Sequence, residues 1–65
     1  MSEKQKMTEQ EAFDKVKDLE PLENHTSLHI DEFVYNVDGD DIRLFYQIGH
    51  YEGIPTIKVN GEYIN

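Results

Sequence analysis

A chain of 65 residues with no cysteine and a net charge of −8 forms one small domain, with neither disulfides nor a second core to stabilise it. The charge disfavours binding to nucleic acid, because affinity for a phosphate backbone comes mainly from Lys and Arg displacing counterions. The polar start, Met1-Ser2-Glu3-Lys4-Gln5-Lys6, has no apolar run behind it. Neither a signal peptide nor a membrane span is expected, and the chain reads as soluble and cytoplasmic.

Residues 1–7 form a polar lead-in expected to be disordered, ahead of a single domain over 8–65. Thr8 followed by Glu11 is a capping box, in which the hydroxyl takes an orphan amide and the carboxylate reaches back to the cap residue's own amide. Ala12, Phe13, Val16 and Leu19 follow at helical spacing, with Glu11 and Lys15 as an i,i+4 pair. Pro21 forbids helix at the residue before it, so the helix is expected to stop between Asp18 and Glu20.

Residues 20–27 are polar and read as a connection. Leu28 and Ile30 then alternate on even positions, and Phe33, Tyr35 and Val37 on odd ones, so a bulge or break is expected near Asp31-Glu32. The runs 33–37 and 42–48 flank Asp38-Gly39-Asp40-Asp41 as the arms of a hairpin. Parity allows a two-residue loop, with Tyr35 opposite Ile42 and Phe33 opposite Leu44, or a four-residue loop with Val37 opposite Ile42. A turn at Glu52-Gly53 pairs Tyr51 with Ile54, Ile48 with Ile57 and Tyr46 with Val59. Asn60-Gly61 suits a type I′ turn and places Ile57 opposite Ile64.

The expected fold is α+β, one N-terminal helix on a four-stranded antiparallel meander in two layers, αββββ. One sheet face collects Phe33, Tyr35, Val37, Ile42, Leu44, Tyr46, Ile48, Ile57, Val59 and Ile64, and the helix stripe covers it. The other face, carrying Val34, Arg43, Phe45, Gln47, Ile54, Thr56, Lys58 and Tyr63 with Tyr51 near one end, is left open. Val34, Arg43, Phe45, Tyr51 and Tyr63 are its candidate partner-binding residues, through a protein partner or a second copy.

The charge is uneven. Residues 1–17 hold four acids and four bases, and residues 43–65 two of each, so the whole excess lies in residues 18–42. Its eight acids, Asp18, Glu20, Glu23, Asp31, Glu32, Asp38, Asp40 and Asp41, form a candidate surface for a basic partner.

Chemical constellations are thin. Asp38, Asp40 and Asp41 fail the EF-hand spacing, because Asp41 stands where glycine belongs and Gln47 where the bidentate glutamate belongs. His25, His29 and His50 can approach one another only if the start of the first strand pairs near the end of the second, and no further ligand accompanies them. Serine occurs only at Ser2 and Ser27, and no glycine-rich phosphate loop is present. Phe45, Tyr51 and Tyr63 with Arg43 and Lys58 resemble a base-stacking platform, yet two cations are too few.

No catalytic residue, cofactor or metal is therefore expected. The sequence points to a small acidic, non-enzymatic interaction module that regulates or inhibits a basic or nucleic-acid-binding protein, with imitation of DNA phosphates as one mode. The alternatives are a homodimer joined through the open sheet face and a weak metal-ion-binding module.

Overall fold

A computed structural model of the chain describes residues 7–65. One helix, α1 (Glu9–Val16), precedes five strands: β1 (Glu23–Thr26), β2 (Ile30–Val37), β3 (Asp40–Gln47), β4 (Thr56–Val59) and β5 (Glu62–Tyr63). The strands form one antiparallel sheet in sequence order, so the α+β class stands and the four-strand count does not. The expected disorder over 1–7 lies outside the described residues except at Met7, which packs against the core.

Thr8 caps α1 as expected. Its Oγ1 accepts from the Glu11 amide at 3.1 Å, and Glu11 Oε1 accepts from the Thr8 amide at 3.3 Å. That bond turns Glu11 toward Thr8, and the side-chain contacts along the helix are instead Gln10–Asp14 at 3.1 Å and Lys17–Asp14 at 3.5 Å. The helix ends at Val16, short of the expected stop, because residues 17–22 must carry the chain out to the sheet edge where β1 lies. Leu19 consequently leaves the stripe and is 48% exposed.

β1 is the strand the sequence concealed. Its residues, Glu-Asn-His-Thr, are all exposed and show no apolar alternation. Polar bonds hold it instead: Asn24 Nδ2 and Thr26 Oγ1 donate to Asp31 Oδ1 at 2.7 and 2.9 Å, and Asn24 Nδ2 also reaches the Glu32 carbonyl at 3.0 Å. Ser27 closes the turn, its amide donating to the Ile30 carbonyl at 2.8 Å and its hydroxyl accepting from the Ile30 amide at 3.2 Å. Leu28 is a turn residue, 88% exposed, and not the start of a strand. The expected bulge near Asp31-Glu32 is absent, because pairing runs without a break from Ile30↔Gln47 to Val37↔Asp40.

The two-residue loop wins at the first long hairpin, with Tyr35 opposite Ile42 and Phe33 opposite Leu44. Asp38 and Gly39 both take positive φ, 54° and 87°, the geometry a type I′ turn requires. Asn60 and Gly61 do the same at 52° and 87°, and the Ile64 amide donates to the Ile57 carbonyl as predicted.

The β3–β4 register is corrected by four residues. Ile57 faces Leu44 rather than Ile48, and Val59 faces Ile42 rather than Tyr46. An even displacement leaves every side chain on its own face, so parity cannot detect it. The chain turns early, at Gln47–His50, where the His50 amide donates to the Gln47 carbonyl at 2.8 Å, and residues 48–55 form a long loop ending on Pro55. Ile48 falls in that turn and is 38% exposed.

Ala12, Val16, Tyr35, Ile42, Leu44 and Ile57 form the buried core, where α1 packs on β2 and β4. Val16, Ile42 and Ile57 are fully buried, each stabilising the fold by roughly 1.5–3 kcal/mol. Beyond the helix the same face is covered by aromatic rings: Phe33 meets Tyr46 edge-on at 5.7 Å, and Tyr46 meets Tyr51 at 5.4 Å. Ile54 from the loop also packs on this core and does not lie on the open face.

Candidate protein-interaction surface

The sheet register assigns the candidate residues to faces. Glu23, Glu32, Val34, Asp41, Arg43, Phe45, Lys58 and Tyr63 share the face opposite the helix. Asp31 and Asp40 fall on the helix side. Asp38 occupies the tip of the β2–β3 hairpin, and Asp18 and Glu20 lie in the connection before β1.

The eight acids are thus distributed around β1, β2 and the first long turn, and many are engaged within the fold. Arg43 forks between two of them, with Nη1 donating to Glu32 Oε2 at 3.0 Å and Nε to Asp41 Oδ1 at 3.2 Å. The Asp41 bond, then the Glu32 bond, raises the guanidinium further above its ordinary range. Glu23 Oε1 lies 2.7 Å from His25 Nε2 along the β1 edge. Asp40 accepts from Asn60 Nδ2 at 3.1 Å, while the Asp41 amide donates to Asn60 Oδ1 at 3.0 Å, fastening the β2–β3 turn to the β4–β5 turn. Asp18, Glu20 and Asp38 have no hydrogen bond or ion pair among the described residues.

Asp31 is better described as a clamp than as a free surface charge. Besides Asn24 and Thr26 it receives the Tyr51 hydroxyl, at 3.1 Å on Oδ2. The Asn24 bond lowers its carboxyl below the usual value against an opposing desolvation, and the Thr26 and Tyr51 bonds add to the lowering. Desolvation first, and the Asp31 bond second, raises the Tyr51 phenol.

Two open-face candidates are corrected. Tyr51 lies on the helix side, over Tyr46 and bonded to Asp31, because the long loop folds back across that face. Val34 does lie on the open face, but it is buried, with Glu23 and Arg43 as its cross-strand neighbours. On this face Tyr63 is 61% exposed and lies 6.1 Å from the half-buried Phe45 ring, with the Lys58 ammonium 4.9 Å above the Tyr63 ring.

An open cleft of about 400 Å³ lies where β3 outruns β4, lined in part by His29, Phe45, Gln47, His50, Glu52 and Thr56. His29 and His50 both line it, while His25 is on β1 with Glu23. Among the described residues no three histidine or carboxylate groups converge as metal ligands, and no helix is long and apolar enough to cross a membrane. Comparison with protein-family models, curated proteins and solved structures finds no match.

Proposed function

We propose that this chain is a small acidic, non-enzymatic module of the cytoplasm that binds and regulates a basic protein, the best candidate being a nucleic-acid-binding protein whose cationic surface it occupies. The observation that carries the reading is the charge distribution: eight acids and no Lys or Arg in residues 18–42, the segment that builds β1, β2 and the turn after it. A potential of that sign attracts cationic surfaces and speeds their encounter. The finer form, imitation of DNA phosphates, predicts competition with DNA.

Titration against a panel of basic nucleic-acid-binding domains, with duplex DNA as competitor, tests it. Binding by at least one domain, weakened by salt and displaced by duplex, is expected. If no domain binds even at low ionic strength, the reading fails.

A second reading, association of two copies through the open face, draws on the charge carried there. Glu23, Glu32 and Asp41 against Arg43 and Lys58 leave only −1 of the chain's −8 on that face, so two copies meet at Phe45 and Tyr63 with little repulsion. Light scattering distinguishes a dimer from a monomer directly.

A further inference from the structure

Among the described residues β1 is a terminal strand of the sheet, with β2 on one side and no strand on the other. Its backbone phase follows from the adjacent turn. The Ser27 amide donates to the Ile30 carbonyl, so Ser27 and Ile30 are a hydrogen-bonded pair. Alternation then turns the backbone groups of Glu23 and His25 inward to β2, and those of Asn24 and Thr26 outward. Exposed edges are commonly blunted by lysine, proline or a covering helix. β1 contains neither residue, all four of its side chains are exposed, and α1 packs on β2 and β4. At the other end of the sheet, β5 offers only two residues.

Three further features favour an occupant. The Asn24 and Thr26 side chains, bonded to Asp31, hold β1 extended before any partner arrives, which lowers the ordering cost of binding. Leu22 and Leu28, 68% and 88% exposed, bracket the strand and supply apolar contacts at both ends. Asp18 and Glu20 precede it in the connection from α1, Glu23 lies on the strand itself beside His25, and Glu32, paired with Arg43, lies opposite His25 on β2, with no Lys or Arg between residues 18 and 42.

We infer that β1 is a strand-addition site for an extended basic segment of a partner protein, which pairs with the outward backbone groups of Asn24 and Thr26. Its Lys or Arg residues face Glu23, and apolar residues at its ends meet Leu22 and Leu28. Main-chain bonds supply the affinity and the alternating side chains the selectivity. A second copy is the poorer occupant, since pairing two β1 edges sets two acidic borders side by side. This inference rests on the basic-partner reading above and specifies its geometry.

The probe is a labelled peptide that alternates Lys or Arg with Thr or Val, measured by fluorescence anisotropy. It is compared with two versions N-methylated at alternate residues, one in each phase. Only one edge of the added strand bonds β1, so one phase should weaken binding by about tenfold or more and the other should leave it nearly unchanged. Amide hydrogen exchange at Asn24 and Thr26 should slow on binding. Thr26→Pro should lose binding while Thr26→Val, which also lacks the hydroxyl, retains it.

If the peptide binds but both methylated forms bind equally and the two amides stay unprotected, strand addition is refuted and the basic-partner reading survives. If the peptide fails to bind at low ionic strength, strand addition is likewise refuted, and the panel of basic domains decides the broader reading separately. If the free protein is a dimer with those amides already protected, a second copy holds the edge and the inference is overturned.

Discussion

Asn65 provides the sharpest test of how the sheet is closed. Its Oδ1 accepts from the Ile57 amide at 2.9 Å, and its Nδ2 donates to the Pro55 carbonyl and to Glu9 Oε1, each at 2.9 Å. One side chain thus joins the start of β4, the loop before it and the first turn of α1. In Asn65→Ala the Pro55 and Glu9 oxygens turn to water, but the half-buried Ile57 amide loses its acceptor, at a cost of about 1–3 kcal/mol. A chain of this length has roughly 3–10 kcal/mol of total stability, so the loss is a large fraction of it. At about 4–8 °C per kcal/mol the midpoint should fall by roughly 4–24 °C. Asn65→Asp keeps the acceptor for Ile57 but brings a carboxylate to Glu9. Its loss should be smaller, and should shrink as pH falls into the carboxylate range. Thermal and urea unfolding followed by circular dichroism measure both. An Asn65→Ala variant within about 0.5 kcal/mol of the parent would refute the reasoning.

Other outcomes follow from the same contacts. Ile57→Ala empties a fully buried position between Leu44 and the helix and should cost roughly 2–5 kcal/mol by urea denaturation, a large fraction of the total stability. The Asp31 carboxyl has a lowered folded-state pKa, so its stabilisation is complete above the ordinary carboxylate value and is lost as pH falls through the folded one. Asp31→Asn should therefore have a lower melting temperature at neutral pH and a smaller decline between pH 4 and pH 2. For the open face, light scattering of the parent and of Phe45→Glu decides the dimer: a parent dimer that dissociates in the variant supports it, and a parent monomer refutes it.

The parts of the fold legible in sequence are those governed by local chemistry. The Thr8-Glu11 box and the Asn60-Gly61 turn are specified by local residue chemistry and form as expected, while the Asp38-Gly39 turn is the shorter of the two loops that parity allowed. Face assignment also succeeded through β2, β3 and β4, since side-chain alternation survives an even register shift. What escaped was non-local. β1 is held by Asn24 and Thr26 reaching Asp31 across a strand pair, and no apolar period announces such bonds. Tyr51 and Ile54 cross to the helix side because residues 48–55 form a loop where a tight turn at Gly53 was expected. The acidic segment was legible as composition. Its division among Arg43 pairing, the Asp31 clamp and Asp18, Glu20 and Asp38, which are unpaired among the described residues, required coordinates.

The most direct measurement of the proposed role is the salt dependence of binding to a basic partner domain, compared between two triple variants. One neutralises Asp18, Glu20 and Asp38, whose carboxylates are unpaired among the described residues, as Asp18→Asn, Glu20→Gln and Asp38→Asn. The other removes as much charge outside the acidic segment, as Glu3→Gln, Glu52→Gln and Glu62→Gln. The first should lower affinity and flatten its dependence on salt with the melting temperature preserved, while the second changes both far less. Equal losses in the two variants, or a parent affinity indifferent to salt, would contradict the assignment of binding to residues 18–42.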